Sequence, residues 1–330
     1  MEERKVGNLG LTSSIVGLGC MGMTGAYGAA DESESIATIR RALELGVEMF
    51  DTADVYGPFS GEKLLGRALK GRRDEAVIAT KFGGAEMDDT GNVLGGPNGR
   101  PDYVRSSVER SLRHLNTDRI DLYYQHRVDP QVPVEETFGA LGELVAAGKI
   151  RHLGICEAAA DTIRRAHASA PLSAVETEYS LFSRQVETNG VLATVRELGI
   201  GFVAYAPLGR GFLTGTVRSA GEIPKTDLRH AFPRFQDGSL DSNLTLLEKV
   251  ETIATAMGVS PGQLALAWVL SRGDDVIAIP GTRVRTHLEE NVTAAALRLR
   301  QETLHDLDRA VPADAVTGDR RAPADTGIEE

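Results

Sequence analysis

The chain has 330 residues, 42% of them hydrophobic, and its 47 acidic against 36 basic residues give a net charge of −11. The length supports two domains or one large barrel, and the acidic balance speaks against a nucleic-acid partner, whose phosphates need a basic surface. MEERKVGNLG lacks a signal-peptide core, no run of about eighteen apolar residues occurs, and Cys20 and Cys156 make no disulfide framework, so a cytoplasmic protein off the membrane is expected.

Short β-type runs alternate with amphipathic helical ones. The first strand is expected at 14–19 (SIVGLG), followed by the helix SESIATIRRALELG, capped by Ser33 and closed by Gly46. The second strand, 47–51 (VEMFD), precedes SGEKLLGRALKG, with Ser60 as cap and Gly71 as stop. A third, 76–81 (AVIATK), leads through a glycine-rich loop, 83–101, into DYVRSSVERSLRHL. The fourth, 119–126 (RIDLYYQH), and fifth, 150–155 (IRHLGI), flank VEETFGALGELVAAGK, and ADTIRRAHASA leads to the sixth, 173–178 (SAVETE). A helix at 185–198 precedes the seventh strand, 199–206 (GIGFVAYA). After a long polar stretch, 208–242, two helices lead to the eighth strand, 275–280 (DVIAIP), and VRTHLEENVTAAAL follows it.

Short, apolar strands alternating with helices fit parallel strands covered on both faces, in a doubly wound open sheet or a closed barrel. Eight strands with no break in composition favour an α/β (β/α)₈ TIM barrel, one domain spanning 1–330. The loops 83–101 and 208–242 then rise from the C-terminal face, where such barrels carry their sites. The tail, 312–330, either covers that face or lies free. GLGCMG at 17–22 matches the dinucleotide fingerprint G-x-G-x-x-G, yet MTGAYGAADES after it opens no helix. A pyrophosphate there would lack the helix N-terminus that the motif supplies, so the match is a decoy.

Polar residues at the upper ends of barrel strands are candidates for chemistry. The second, third and fourth strands end at Asp51, Lys81 and His126, with Tyr56 in the loop DTADVYG. A phenol, with a pKa near about 10, is a poor acid at neutral pH unless its anion is stabilised. The Lys81 ammonium provides that attraction, Asp51 holds the ammonium, and His126 orients a carbonyl. Asp54 reads as a turn residue. The seven histidines show no paired metal-ligand spacing, and no metal is expected.

DTADVYG, ATKFG with Lys81, and DLYYQHRVDP with His126 resemble the tetrad of the aldo-keto reductase superfamily. RKVGNLGLTSSIVGLGCMGM, GKIRHLGICEA, EYSLFSR, VAYAPLGRGFLTG and IPGTRVRTHLEENV extend the likeness from about Arg4 to Asp319. The resemblance implies an NADP(H)-dependent reductase of a small-molecule aldehyde or ketone. Tyr56 would be the general acid, Lys81 and Asp51 would tune it, and His126 would position the carbonyl. It also implies cofactor contacts from Gly19, Met21, Cys156 and Glu176, and from Tyr205 against the nicotinamide. Pro207, Leu208, Gly209, Arg210 and Gly211 would follow the pyrophosphate, while Gly281, Thr282, Arg283 and His287 would hold the 2′-phosphate end. Glu290 and Asn291 would meet adenine.

Two residues depart from the family's common pattern, Cys156 and Glu176 standing where Ser and Gln are usual. A thiol is a weak donor, and an ionised carboxylate donates nothing. The alternative implied by the fold is a cofactor-sensing regulatory subunit with little turnover. Substrate and oligomeric state are not readable from the residues.

Overall fold

A short antiparallel hairpin, β1 (Glu3–Lys5) and β2 (Thr12–Ser14), opens the computed structural model, which describes residues 1–236 and 238–323. Next come β3 (Leu18–Gly19), α1 (Glu32–Glu44), β4 (Met49–Asp51), α2 (Ser60–Ala68) and β5 (Val77–Phe82). A hairpin, β6 (Glu86–Met87) with β7 (Val93–Gly95), leads to α3 (Pro101–Leu115), β8 (Ile120–Gln125), α4 (Val134–Ala146) and β9 (Ile150–Cys156). Then follow α5 (Ala160–Ser169), β10 (Leu172–Glu178), α6 (Val191–Leu198) and β11 (Gly201–Tyr205). The last elements are α7 (Ser239–Met257), α8 (Pro261–Leu270), β12 (Val276–Ile279), α9 (Arg285–Thr293) and α10 (Gln301–Ala310).

Strands β3, β4, β5, β8, β9, β10, β11 and β12 pair in that order, all parallel. Bridges from Val16 to Ala278 and from Gly19 to Gly281 bring the first strand against the last, and the Gly17 N–H donates to the Ala278 carbonyl at 2.8 Å. A Cβ on Gly19 would lie 3.0 Å from the Ile279 carbonyl oxygen, so glycine there lets the seam close without crowding. The TIM barrel expected from the strand count is the fold observed. GLGCMG gives only a 3₁₀ turn, Met21–Thr24, and the next α-helix waits until Glu32.

Inside the barrel, Met49, Ala79, Leu122, Ala174, Val203 and Ile277 form one buried cluster with Val6 and Leu11, which flank the hairpin turn. The side-chain period of a strand is two, so the next inward position lies one layer higher. On those same strands the step of two leads to Asp51, Lys81, Tyr124, Glu176, Tyr205 and Ile279. An apolar floor thus sits directly beneath a mostly polar layer. That stacking, rather than any local motif, positions the site.

Several boundaries differ from the sequence expectation. Asp31, not Ser33, caps α1, its carboxylate accepting from the Glu34 N–H at 2.7 Å; Ser33 falls within the first turn. Ser60 begins α2 instead of capping it, and the cap is Phe59 at φ 67°. Asp54 lies in the turn after β4, as expected, but it is buried there, and burial, with Glu62 nearby, holds its carboxyl well above the usual range. The helix α10 was not anticipated, because its apolar stripe is confined to Leu304, Leu307 and Ala310 in a charged segment.

The tail is tied down where it is described. Asn243 exchanges two hydrogen bonds with the Thr317 backbone at 3.0 and 2.9 Å, and Arg234 donates to the Gly318 carbonyl at 3.2 Å. Arg320 then forms a bidentate pair with Glu157, just beyond β9, at 3.0 and 2.6 Å. Residues 324–330 of the expected tail lie outside the described residues. Burial alone would push Glu157 up, but the Arg320 guanidinium outweighs it and leaves the carboxyl below its ordinary value. Replacing Arg320 with Ala strands a buried carboxylate, so an unfolding titration at neutral pH is expected to read a loss of about 3 kcal/mol. The deficit should shrink as pH falls and Glu157 takes up a proton in both proteins.

No single helix among the described residues is long and apolar enough to cross a membrane.

Candidate active site

The barrel mouth opens into a cavity of about 620 Å³, within the range of small-molecule and cofactor sites. Asp51, Tyr56, His126, Cys156, Glu176 and Tyr205 line one part of it; Pro207, Leu208, Arg210 and Gly211 line another; and Gly281, Thr282, Arg283, His287, Glu290 and Asn291 continue the wall. Gly19 and Met21 also lie on it. Two expected residues do not line the cavity. Lys81 is buried beneath the lining, and Gly209, at φ 57°, shapes the turn behind it, its N–H donating to the Ala206 carbonyl.

Lys81 is 1% exposed. Its ammonium donates to both oxygens of Asp51 at 2.5 Å and to the Thr52 carbonyl at 3.0 Å, and lies 3.3 Å from Glu176 Oε1. The same ammonium stands 5.4 Å from the centre of the half-buried Tyr56 ring, which meets the His126 ring edge-on at 6.0 Å. Desolvation of this order is tolerated only with close opposite charge.

The electrostatics correct one step of the sequence argument. Lys81 was expected to bring the Tyr56 phenol down. Burial instead pushes the phenol above its ordinary value, and the attraction of Lys81 offsets only part of that. Tyr56 therefore holds its proton throughout the neutral range, as a donor should. His126 moves the other way: burial, then Arg127 and Lys81, keep the imidazole well below its ordinary value. A neutral imidazole can hydrogen-bond a carbonyl but has no extra proton to give. Its Nδ1 has no hydrogen-bond partner among the described residues, and a Cβ on Gly84 would come within 2.8 Å of that nitrogen, so glycine at 84 makes room for the ring.

At the other end, α9 begins without a side-chain cap from Val284, and the N–H of Arg285, its first residue, donates to the Glu34 carboxylate at 3.4 Å. Arg283 donates to the carbonyls of Gly28 at 2.8 Å, Tyr27 at 3.2 Å and Gly22 at 3.4 Å. All three acceptors are neutral. The neighbouring arginines are matched to acids: Arg210 to Glu178, Arg229 to Asp227, and Arg285 to Glu34. Arg210, expected to bring charge to a pyrophosphate, thus already faces a carboxylate at 3.0 Å and lies 4.1 Å over the Phe232 ring.

Sequence reasoning missed Tyr27, Arg127, Arg229 and Phe232, which also line the cavity. The long segment 208–242 carried a signal for the last two, since its length already marked it as part of the mouth. Tyr27 and Arg127 gave none: each sits in a stretch dismissed or read for its neighbour.

The residues present fit a dinucleotide. The wall runs from a buried polar floor to the start of α9, where Arg283 faces no carboxylate among the described residues, and Glu176 Oε2 and His126 Nδ1 are buried polar atoms that lack partners among those residues. Such atoms carry a desolvation cost until a ligand pairs with them.

Comparison with known proteins agrees. The sequence model of the Aldo/keto reductase family matches residues 15–312. The chain is 45% identical over 322 residues to "Probable aldo-keto reductase 1" of Glycine max, covering 97% of this chain and 92% of that protein. It is 44% identical over 327 residues to the aldo-keto reductase yakc (NADP(+)) of Schizosaccharomyces pombe, covering 98% and 95%. Among solved structures, the glycerol dehydrogenase AKR11B4 from Gluconobacter oxydans superposes with a TM-score of 0.84 at 30% identity, over 94% of this chain and 96% of that one. The holo form of AKR11C1 from Bacillus halodurans gives 0.79 at 28% identity, over 95% and 97%. With the barrel, the polar layer and these matches together, the chain belongs to the aldo/keto reductase family, whose members are oxidoreductases acting on carbonyl groups with a nicotinamide cofactor.

Proposed function

We propose that this protein is an NADPH-dependent reductase of small-molecule aldehydes or ketones, working reversibly, with Tyr56 as proton donor. The observation that carries the reading is a proton-bearing Tyr56 beside a buried, acid-held Lys81 at the floor of the cavity. NADPH, held along the wall by residues such as Tyr205 and Arg283, would supply a hydride to the carbonyl carbon. Neutral His126 orients the carbonyl oxygen by hydrogen bonding, and Tyr56 delivers its proton to that oxygen. Charge develops on the phenol oxygen only during this transfer, and the Lys81 ammonium is already in place to meet it. An interaction that strengthens in the transition state raises the rate, whereas one equal in both states does not. Asp51 keeps Lys81 charged and in place.

Preference for NADPH over NADH rests on Arg283, whose guanidinium faces neutral carbonyls and so has its charge available to a 2′-phosphate. The test mixes the protein with NADPH and a panel of aliphatic, aromatic and sugar-derived carbonyls and follows nicotinamide absorbance. Turnover is expected; a flat trace with normal cofactor binding would favour the sensor instead. In the same assay Arg283→Ala should raise KM for NADPH by about tenfold or more and leave KM for NADH nearly unchanged. Equal effects on the two would remove the phosphate role.

A further inference from the structure

Lys81 is one cation between two acids. Asp51 holds it through both oxygens at 2.5 Å, and Glu176 approaches from the other side at 3.3 Å. The three side chains are at most 5% exposed. Two carboxylates and one ammonium would leave an uncompensated negative charge in a site screened from water, which such a group avoids by keeping a proton. Asp51 has the shorter contacts with Lys81 and is the better place for the charge. Glu176 Oε2, buried on the cavity wall without a hydrogen-bond partner among the described residues, is the better place for the proton.

The surroundings of Glu176 agree. Asp51 comes from β4, Tyr56 from the loop after it, Lys81 from β5, Tyr124 from β8 and Cys156 from β9, where it is the register partner of Glu176; β11 contributes Val203. Lys81 is the only cation in that set. Burial, and then the charge of Asp51, push the Glu176 carboxyl well above its ordinary range, with Lys81 pulling the other way.

We propose that Glu176 is a carboxylic acid whose proton is linked to the redox state of the cofactor, held while the reduced neutral nicotinamide is bound and released to solvent as the oxidised cationic ring replaces it. The inference rests on the cofactor reading above. A positive ring in the same cavity favours the ionised carboxylate, and by linkage the ionised carboxylate favours the positive ring. No bond to carbon changes: the exchanged species are the two cofactor forms and one proton passed to bulk water. At a pH where Glu176 ionises, the enzyme thus shifts its binding preference toward the oxidised cofactor. A glutamine at 176 would have no such dependence.

Dissociation constants for NADP⁺ and NADPH, measured by fluorescence titration from about pH 5 to about pH 9, test this. Tyr56→Phe serves as the background, so that the phenol contributes nothing. The 2′-phosphate is common to both ligands and its titration cancels in their ratio. With Glu176 present, the ratio of the NADP⁺ to the NADPH constant should fall about tenfold with rising pH, the effect of roughly one pKa unit of coupling. With Glu176→Gln added, the ratio should stay flat near its acid-limit value. A flat ratio with Glu176 present, or an unchanged slope after Glu176→Gln, overturns the proposal. Absence of binding by either nucleotide would instead bring down the cofactor reading on which it stands.

Discussion

Tyr56→Phe is expected to lower kcat/KM for carbonyl reduction by about a thousandfold, with the cofactor dissociation constant left within about twofold. The size follows from what the phenol does. It is protonated at rest because burial outweighs the pull of Lys81, so the substitution removes a loaded donor rather than a charge. The ring stays, and with it the edge-on contact with His126 and the cover over Lys81. Neutral His126 cannot take over, since it has no proton to spare in the neutral range. Stopped-flow absorbance with saturating cofactor reads the rate, and fluorescence titration reads binding. Full activity in the variant would dismiss Tyr56 as the acid.

Lys81→Met should act on both rate and stability. Without the ammonium, the phenolate character that Tyr56 gains in the transition state has no cation to meet, and kcat should fall by about a hundredfold or more. Asp51 and Glu176 then face each other with no cation between them. Burial already raises both carboxyls, with Lys81 opposing it, and its loss leaves burial unopposed. The folded variant must therefore bind protons that the unfolded chain gives up. Since the folded values lie above the unfolded ones, the variant's stability falls as pH rises through the unfolded carboxylate range toward the folded values. Denaturant titrations at acid and at neutral pH should diverge, with a deficit at neutral pH of about 3 kcal/mol. A pH-independent deficit would mean that Lys81 serves packing rather than charge balance.

The barrel was legible because each strand is a short apolar run and each helix an amphipathic one, so periodicity carries the eight-fold count without any long-range information. The tetrad was legible for a related reason: Asp51 and Lys81 each close an otherwise apolar strand. His126 sits one residue past the end of β8, where its N–H bonds the Phe82 carbonyl at 2.8 Å. What periodicity cannot give is the sum of opposing terms at one point in space. Tyr56 was expected to be eased downward by Lys81, and the cost of burial, invisible along the chain, reversed the sign. The turn at Asp54 was legible, but its burial was not, since that depends on the packing over it. The Glu157–Arg320 pair joins a strand end to the tail across the whole second half of the chain, and no local pattern announces it.

The seam between Val16 and Ala278 has a consequence for how the chain is made. Those partners come from distant parts of the sequence, so the first strand, paired on its other side with β4, must wait for the last before the barrel can close. Closing so long a loop is slow relative to pairing adjacent strands. During synthesis, at about 5–20 residues per second, the nascent protein is therefore an open sheet with two bare edges. The ribosome releases the seam-closing strand only near the end, and the tail that clasps Glu157 emerges later still.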